Sequence, residues 1–285
     1  MRFGINTFLF ASPFTDASTH LFRRFKDWGF ESVEIAIEEL THIDPAYVKG
    51  QLDRHGLVCG SATPCLGPDK DLRGTRQQQR AGIQFMKRVL DQMVVLNCPT
   101  LIGVVYSTVG RADAVPRGEY RRQWKTVTKN LKEVCAYAMD RGQVIALEPL
   151  NRFETDFINT CDQGLALIHD VGSPALKLHL DTFHMNIEEK DSAAAIRKAG
   201  RHLGHFHACG SDRGTPGKDQ IDWKGIAAAL QAIGYRGDVV IESFTSDVKV
   251  IARAASIWRR IEPTRSEIAI EGLRFLKRIL PTTNA

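Results

Sequence analysis

The chain is predicted to fold as an α/β protein, a (β/α)8 TIM barrel, on three observations. Short apolar runs alternate with amphipathic segments along most of its 285 residues, the later runs each end on an acid or a histidine, and no linker or low-complexity stretch divides it. Strand-helix alternation favours parallel strands joined by right-handed crossovers. Barrels of this kind commonly fill one domain of about this length, so residues 1–285 are expected to form a single domain. An open doubly wound sheet is the fallback, but no glycine-rich dinucleotide fingerprint follows the first strand.

The first strand reads Phe3 to Asn6, and the helix after it places Leu21, Phe22, Phe25 and Trp28 on one face before Gly29 stops it. A second strand, Ser32 to Ile37, carries Glu34, which is expected to be an interior hydrogen-bonding acid. Asp44-Pro45 supplies a cap and a first-turn proline for a helix with Val48 and Leu52 inward, ending at Gly56. The third strand, Val58 to Thr63, opens into a polar loop, 63–74, that contains Gly67, Pro68 and Lys70. A long helix over about residues 77–95 leads to the fourth strand, Thr100 to Val105, then to a loop with Tyr106, Ser107 and Gly110 and a helix over 119–139. Loops after barrel strands build the active face, so both loops are candidate substrate walls.

The second half carries the chemistry. The fifth strand, Val144 to Leu147, delivers Glu148; the sixth, Leu176 to Leu180, delivers Asp181, with His184 close behind. The seventh, Leu203 to Phe206, delivers His207, and the eighth, Asp238 to Ile241, delivers Glu242. Helices near 161–171, 192–199 and 222–233 separate these strands, and a last helical stretch reaches Leu280. A parallel barrel turns the C-terminal ends of all its strands to one face. Three acids and a histidine gathered there imply a divalent cation, because buried carboxylates must be paired, protonated or metal-bound. A set of oxygens plus imidazole, without thiolate, favours Mn2+, Co2+ or Mg2+ over a structural zinc. His179, His202 and His205 are expected to be packed or structural.

Composition narrows the classes further. With 43% hydrophobic and 25% charged residues the chain reads as an ordinary soluble protein. The formal charge of +5 comes from basic residues interspersed with acids, which does not call for nucleic acid. No run approaches the roughly 18 apolar residues of a membrane span, and the N-terminus lacks a cleavage-site pattern, so a cytoplasmic location is expected. Cys59, Cys65, Cys98, Cys135, Cys161 and Cys209 contain no Cys-x-x-Cys pair and are expected to be reduced.

The segment LEPLNRFETDFINT, the LDTFHMNIEE run, the HFHA turn with nearby DRGTPG, and the IESF ending resemble the D-tagatose/D-psicose 3-epimerase family of ketose 3-epimerases, within the xylose-isomerase-like barrels. The match is dense over about residues 140–245 and weak before residue 100. The resemblance implies Mn2+- or Co2+-dependent epimerisation at C3 of a free ketose. Glu148, Asp181, His207 and Glu242 match the family's metal ligands, and Glu148 and Glu242 its acid/base pair. Glu154 and His184 match residues contacting the sugar near its carbonyl end, Arg213 one that binds substrate oxygens and orients an acid, Phe244 an aromatic wall and Gly67 a position in the third loop. Homodimers or homotetramers are implied too.

The chemistry agrees with that assignment. Inverting C3 requires removing a weakly acidic proton beside the carbonyl and returning one to the opposite face, which takes two carboxylates; nearby positive charge keeps them ionised enough to act. After the first strand the chain offers Asn6, Phe8 and Phe10 in place of the family's tyrosine and tryptophan pattern, and no tryptophan follows YSTVG. The preferred sugar therefore stays open among tagatose/sorbose, fructose/psicose, ribulose/xylulose and keto-inositol pairs. An aldose-ketose isomerase of the hydroxypyruvate-isomerase kind is the close rival. An endonuclease IV-like hydrolase would need more strand-end histidines and a basic groove, and a non-catalytic sugar-binding protein would not need both glutamates.

Overall fold

The computed structural model describes residues 1–280. Eight strands form one closed parallel barrel in chain order: β1 (Arg2–Asn6), β2 (Ser32–Ile37), β3 (Val58–Pro64), β4 (Thr100–Gly103), β5 (Val144–Leu147), β6 (Leu176–Asp181), β7 (Leu203–Ala208) and β8 (Asp238–Ile241). β8 pairs back onto β1 with Phe3 opposite Val239 and Ile5 opposite Ile241, so the sheet has no edge. The helices are α1 (Leu21–Trp28), α2 (Pro45–Arg54), α3 (Arg76–Leu96), α4 (Arg117–Met139), α5 (Cys161–Val171), α6 (Thr182–Glu188), α7 (Ser192–Ala199), α8 (Trp223–Ala232), α9 (Lys249–Ala254) and α10 (Arg265–Ile279).

Local signals account for most helix ends. The Asp44 carboxylate caps α2 by accepting from the Ala46 N–H, and Thr75 and Thr160 form capping boxes with Gln78 and Gln163 at the starts of α3 and α5. Gly29 ends α1 in the left-handed region, φ 95°. β4 stops two residues earlier than its apolar run suggests. Gly103 takes φ 98°, and a Cβ there would lie 2.8 Å from Thr63 Oγ1, so the chain turns off the sheet at a point that only glycine fits.

The main core is continuous from the strands to the helical layer, with Phe3, Phe22, Phe25, Phe206 and Leu276 fully buried. A second, smaller cluster follows β8, where Phe244, Val248, Ile251, Ala252 and Ile257 bury one another and Phe8 packs against them. That cluster holds α9 over the end of the barrel where β8 delivers its acid. All six cysteines are free thiols, and no helix among the described residues is long and apolar enough to cross a membrane.

Candidate active site

Glu148, Asp181, His207 and Glu242 converge: one ligand-type atom from each lies within 4.8 Å of the others. They come from the ends of β5, β6, β7 and β8, and each is aimed by a different local device. Glu148 follows β5, its N–H donating to Gly103 O at 3.1 Å, while Tyr106 Oη donates to its carbonyl at 2.8 Å. Asp181 caps α6, its Oδ1 accepting from the Phe183 and His184 N–H groups at 2.5 and 3.2 Å, which leaves Oδ2 facing inward. His207 presents Nε2 to Glu34 Oε1 at 2.8 Å and turns Nδ1 toward the acids. Glu242 Oε1 accepts from Asn6 Nδ2 at 3.1 Å and its Oε2 from Arg213 Nη1 at 3.0 Å.

His207 Nδ1 stands 3.5 Å from Asp181 Oδ2, 3.5 Å from Glu242 Oε2 and 4.0 Å from Glu148 Oε1. Donors held around one small cation by bonds of about 2 Å stand about 3 Å apart as neighbours and about 4 Å apart across it. Both His207 Nδ1 and Glu148 Oε1 are buried without a hydrogen-bond partner, and such polar atoms are costly unless something fills their valence. The residues present therefore fit a divalent cation. Burial, reinforced by the Glu242 charge, pushes the Glu148 carboxyl well above the ordinary carboxylate range. Burial works against a charge on His207, but Glu34 and Glu242 outweigh it and raise its pKa. A bound cation would displace that proton, since imidazole ligates in its neutral form.

Above the cluster a cavity of about 530 Å³ opens, in the range of pockets that enclose small molecules. Gly67, Glu148, Glu154, His184, Arg213, Glu242 and Phe244 all line it. Asp181 and His207 lie beneath, at 1% and 0% exposure, and do not. The far wall is different in kind: Glu38, Glu39, His42, Asp69 and Lys70 come from the loops after β2 and β3.

Arg213 is the hinge between acids and cavity. It is buried, takes φ 67°, and lies against the rings of Phe183 and Phe244 with its guanidinium carbon 4.0 and 4.7 Å from their centroids. Left-handed backbone at a non-glycine residue costs energy and is held here by the Arg213 N–H to Gly210 O and by Phe244 N–H to Arg213 O. Burial and the Arg213 charge push His184 down to about 3, so its ring is neutral at ordinary pH. Its Nδ1 accepts from the Asn151 backbone N–H at 3.0 Å, which places the ring proton on Nε2. Arg213 Nη2, 3.1 Å from that Nε2, is also a donor. Two donors facing each other across the cavity floor are set to share one acceptor oxygen. Glu154 Oε1 takes the Asn151 amide at 2.8 Å and lies 3.8 Å from Arg213 Nη2.

All nine site residues singled out in the sequence thus meet in one place. Asn6, Asn151 and Phe183 were not among them: Asn6 meets Glu34 on β2 and Glu242 after β8, Asn151 meets His184 on α6, and Phe183 lies under the Arg213 guanidinium. Glu34 is an interior hydrogen-bonding acid, as expected, fully buried and accepting from Asn6, Ser61 and His207. His179 and His205 are packed against His207 edge to face. His202 lies at the surface end of β7, partly exposed.

Comparison with known proteins fits this geometry. A family model described as Xylose isomerase-like TIM barrel matches residues 22–279. The chain is 34% identical to a probable ketose 3-epimerase of Synechocystis sp. over 99% of its own length and 98% of the relative's. It is 33% identical to the L-ribulose 3-epimerase of a Methylomonas sp. over 87% of each chain. The crystal structure of D-allulose 3-epimerase from Methylomonas sp. in complex with D-allulose superposes with a TM-score of 0.92 at 29% identity, covering 98% of this chain and 96% of that one. The chain belongs to the ketose 3-epimerase family of xylose isomerase-like TIM barrels.

Proposed function

We propose that the protein epimerises a free ketose at C3 through a cis-enediolate, with Glu148 and Glu242 as the acid/base pair and Glu148, Asp181, His207 and Glu242 holding Mn2+, Co2+ or Mg2+. One observation carries the reading: of the four clustered donors, only the two glutamates also line the cavity. They approach it from strands three places apart in the barrel, as groups acting on two faces of one carbon must. Asp181 and His207, sunk beneath, serve as ligands only. The substrate is of the D-tagatose/D-sorbose, D-fructose/D-psicose or L-ribulose type, and the enzyme works in the cytoplasm as a homodimer or homotetramer.

When bound, a divalent cation supplies positive charge that stabilises the negative charge developing on the sugar's oxygens. The chain does the rest. One glutamate takes the C3 proton and the other returns a proton to the opposite face, the roles exchanging with direction. Arg213 Nη2 and His184 Nε2 bind the oxygen near the carbonyl end, Glu154 accepts a neighbouring hydroxyl, and Gly67 and Phe244 form walls. Incubation of metal-loaded protein with a panel of ketoses in D2O should place deuterium at C3; label at C1 instead would mark an aldose-ketose isomerase.

Arg213→Lys tests the clasp. A lysine carries one point charge and cannot reach Glu242, His184 and Glu154 at once from between two rings. The expected result is a fall in kcat/KM of roughly tenfold to a hundredfold, the size of one or two lost charge-assisted hydrogen bonds. Steady-state kinetics with unchanged kcat/KM would remove Arg213 from substrate binding.

A further inference from the structure

We propose that Glu34 and Asn6, neither of which reaches the cavity, are positioning residues for the metal centre. Glu34 locks His207 in the tautomer whose Nδ1 lone pair faces the acids, and Asn6 turns Glu242 so that its Oε2 does the same. The inference rests on reading the four-residue cluster as a metal site.

Glu34 is fully buried on β2, and both its oxygens are filled. Oε1 meets Asn6 Nδ2 at 2.7 Å and His207 Nε2 at 2.8 Å; Oε2 meets Ser61 Oγ at 2.5 Å and His205 Nε2 at 2.8 Å. An ionised carboxylate only accepts, so His207 Nε2 must carry hydrogen, and a neutral ring then has its lone pair on Nδ1. Nδ1 is the atom without a hydrogen-bond partner that lies 3.5 Å from Asp181 and Glu242.

Asn6 has one permitted orientation. Its Oδ1 accepts the Phe8 N–H at 2.7 Å, which rules out the flipped amide, so Nδ2 spends one hydrogen on Glu34 Oε1 and the other on Glu242 Oε1 at 3.1 Å. With Oε1 so held and Arg213 on Oε2, the Glu242 carboxylate cannot rotate without breaking one of these two bonds. Two of the four donors are therefore oriented by one pair of side chains on β1 and β2, on the strands that contribute no ligand themselves.

Calorimetric titration with Mn2+ of the wild type, Glu34→Gln and Asn6→Ala tests the idea. Loss of an outer partner of a ligating histidine typically weakens metal binding about tenfold to a hundredfold. That loss is expected for Glu34→Gln, with a smaller one for Asn6→Ala, while KM for the ketose at saturating Mn2+ stays at the wild-type value. Wild-type Mn2+ affinity in Glu34→Gln would overturn the proposal. Should that variant not fold, the wild type labelled with 15N-histidine decides the matter. In the Mg2+-loaded protein His207 should show a protonated Nε2 and an unprotonated Nδ1 whose resonance moves on metal addition, and hydrogen on Nδ1 would sink the proposal. A wild type that binds no Mn2+ in the first titration would instead remove the metal-centre reading itself, and this inference with it.

Discussion

Glu148→Gln and Glu242→Gln should each reduce C3 epimerisation by roughly a hundredfold to ten-thousandfold, the usual contribution of a positioned acid or base. The two losses should differ in one telling respect. A pair of bases on opposite faces implies that the surviving glutamate still removes the C3 proton of the epimer it faces, though nothing waits on the other face of that carbon to complete inversion. Each variant, loaded with metal in D2O, should therefore exchange the C3 hydrogen of one epimer and not the other, and the two variants should prefer opposite epimers. Mass spectrometry of both recovered sugars reads this directly. Near-normal epimerisation by metal-bound Glu148→Gln would end the two-base scheme, and washout from both epimers by either variant would point to a single base. Substitution also removes a donor from the cluster, so metal occupancy has to be matched before rates are compared.

Chelation should abolish turnover and loosen the fold together. Three carboxylates sit within 4.8 Å of one another beside one buried arginine, and removing a bound cation leaves their mutual repulsion to be relieved by Arg213, a protonated His207 and proton uptake at Glu148, whose carboxyl is held well above the ordinary range. A ligand held by the native state alone adds about 2.7 kcal/mol at a free concentration one hundred times Kd. For a chain of this size that corresponds to a fall in Tm of roughly 4–5 °C on addition of EDTA. Mn2+ or Co2+ should restore both activity and Tm, with Mg2+ as the weaker substitute to compare. Full activity in chelator, or an unmoved Tm with activity lost, would separate the cluster from the chemistry assigned to it.

Most of the barrel was readable because its rules are local. Alternating apolar runs, Asp44-Pro45 and Gly29 each act within a few residues. The four strand-end donors were readable for a related reason, since a parallel barrel sends every strand end to one face whatever the side chains do. What escaped depends on register across the barrel. Nothing in FGIN says that Asn6 meets Glu34, 28 positions on, or that Glu34 meets His207, 173 positions on. The helix α9 escaped as well: KVIARA is short, and its apolar residues find partners in Phe8 and Phe244 rather than in a stripe of their own. β4 was read too long because hydrophobicity continues through Val104 and Val105 while the backbone has already turned at Gly103.

The division of the cavity between a rigid floor and a loop-borne far wall has an evolutionary meaning. The floor is built from strand ends that converge on the four-residue cluster and are held there by buried partners such as Glu34 and Arg213, so mutations there are expected to disrupt the reaction. Glu38, Glu39, His42, Asp69 and Lys70 stand on connections between strands and helices, where drift is cheap. On the proposed function, editing the wall should trade one sugar for another and keep the chemistry intact. Saturation libraries at Glu38, Glu39 and Lys70 should yield variants with altered ketose preference and unaltered Mn2+ affinity; variants that lose metal whenever preference shifts would show that floor and wall are not separable.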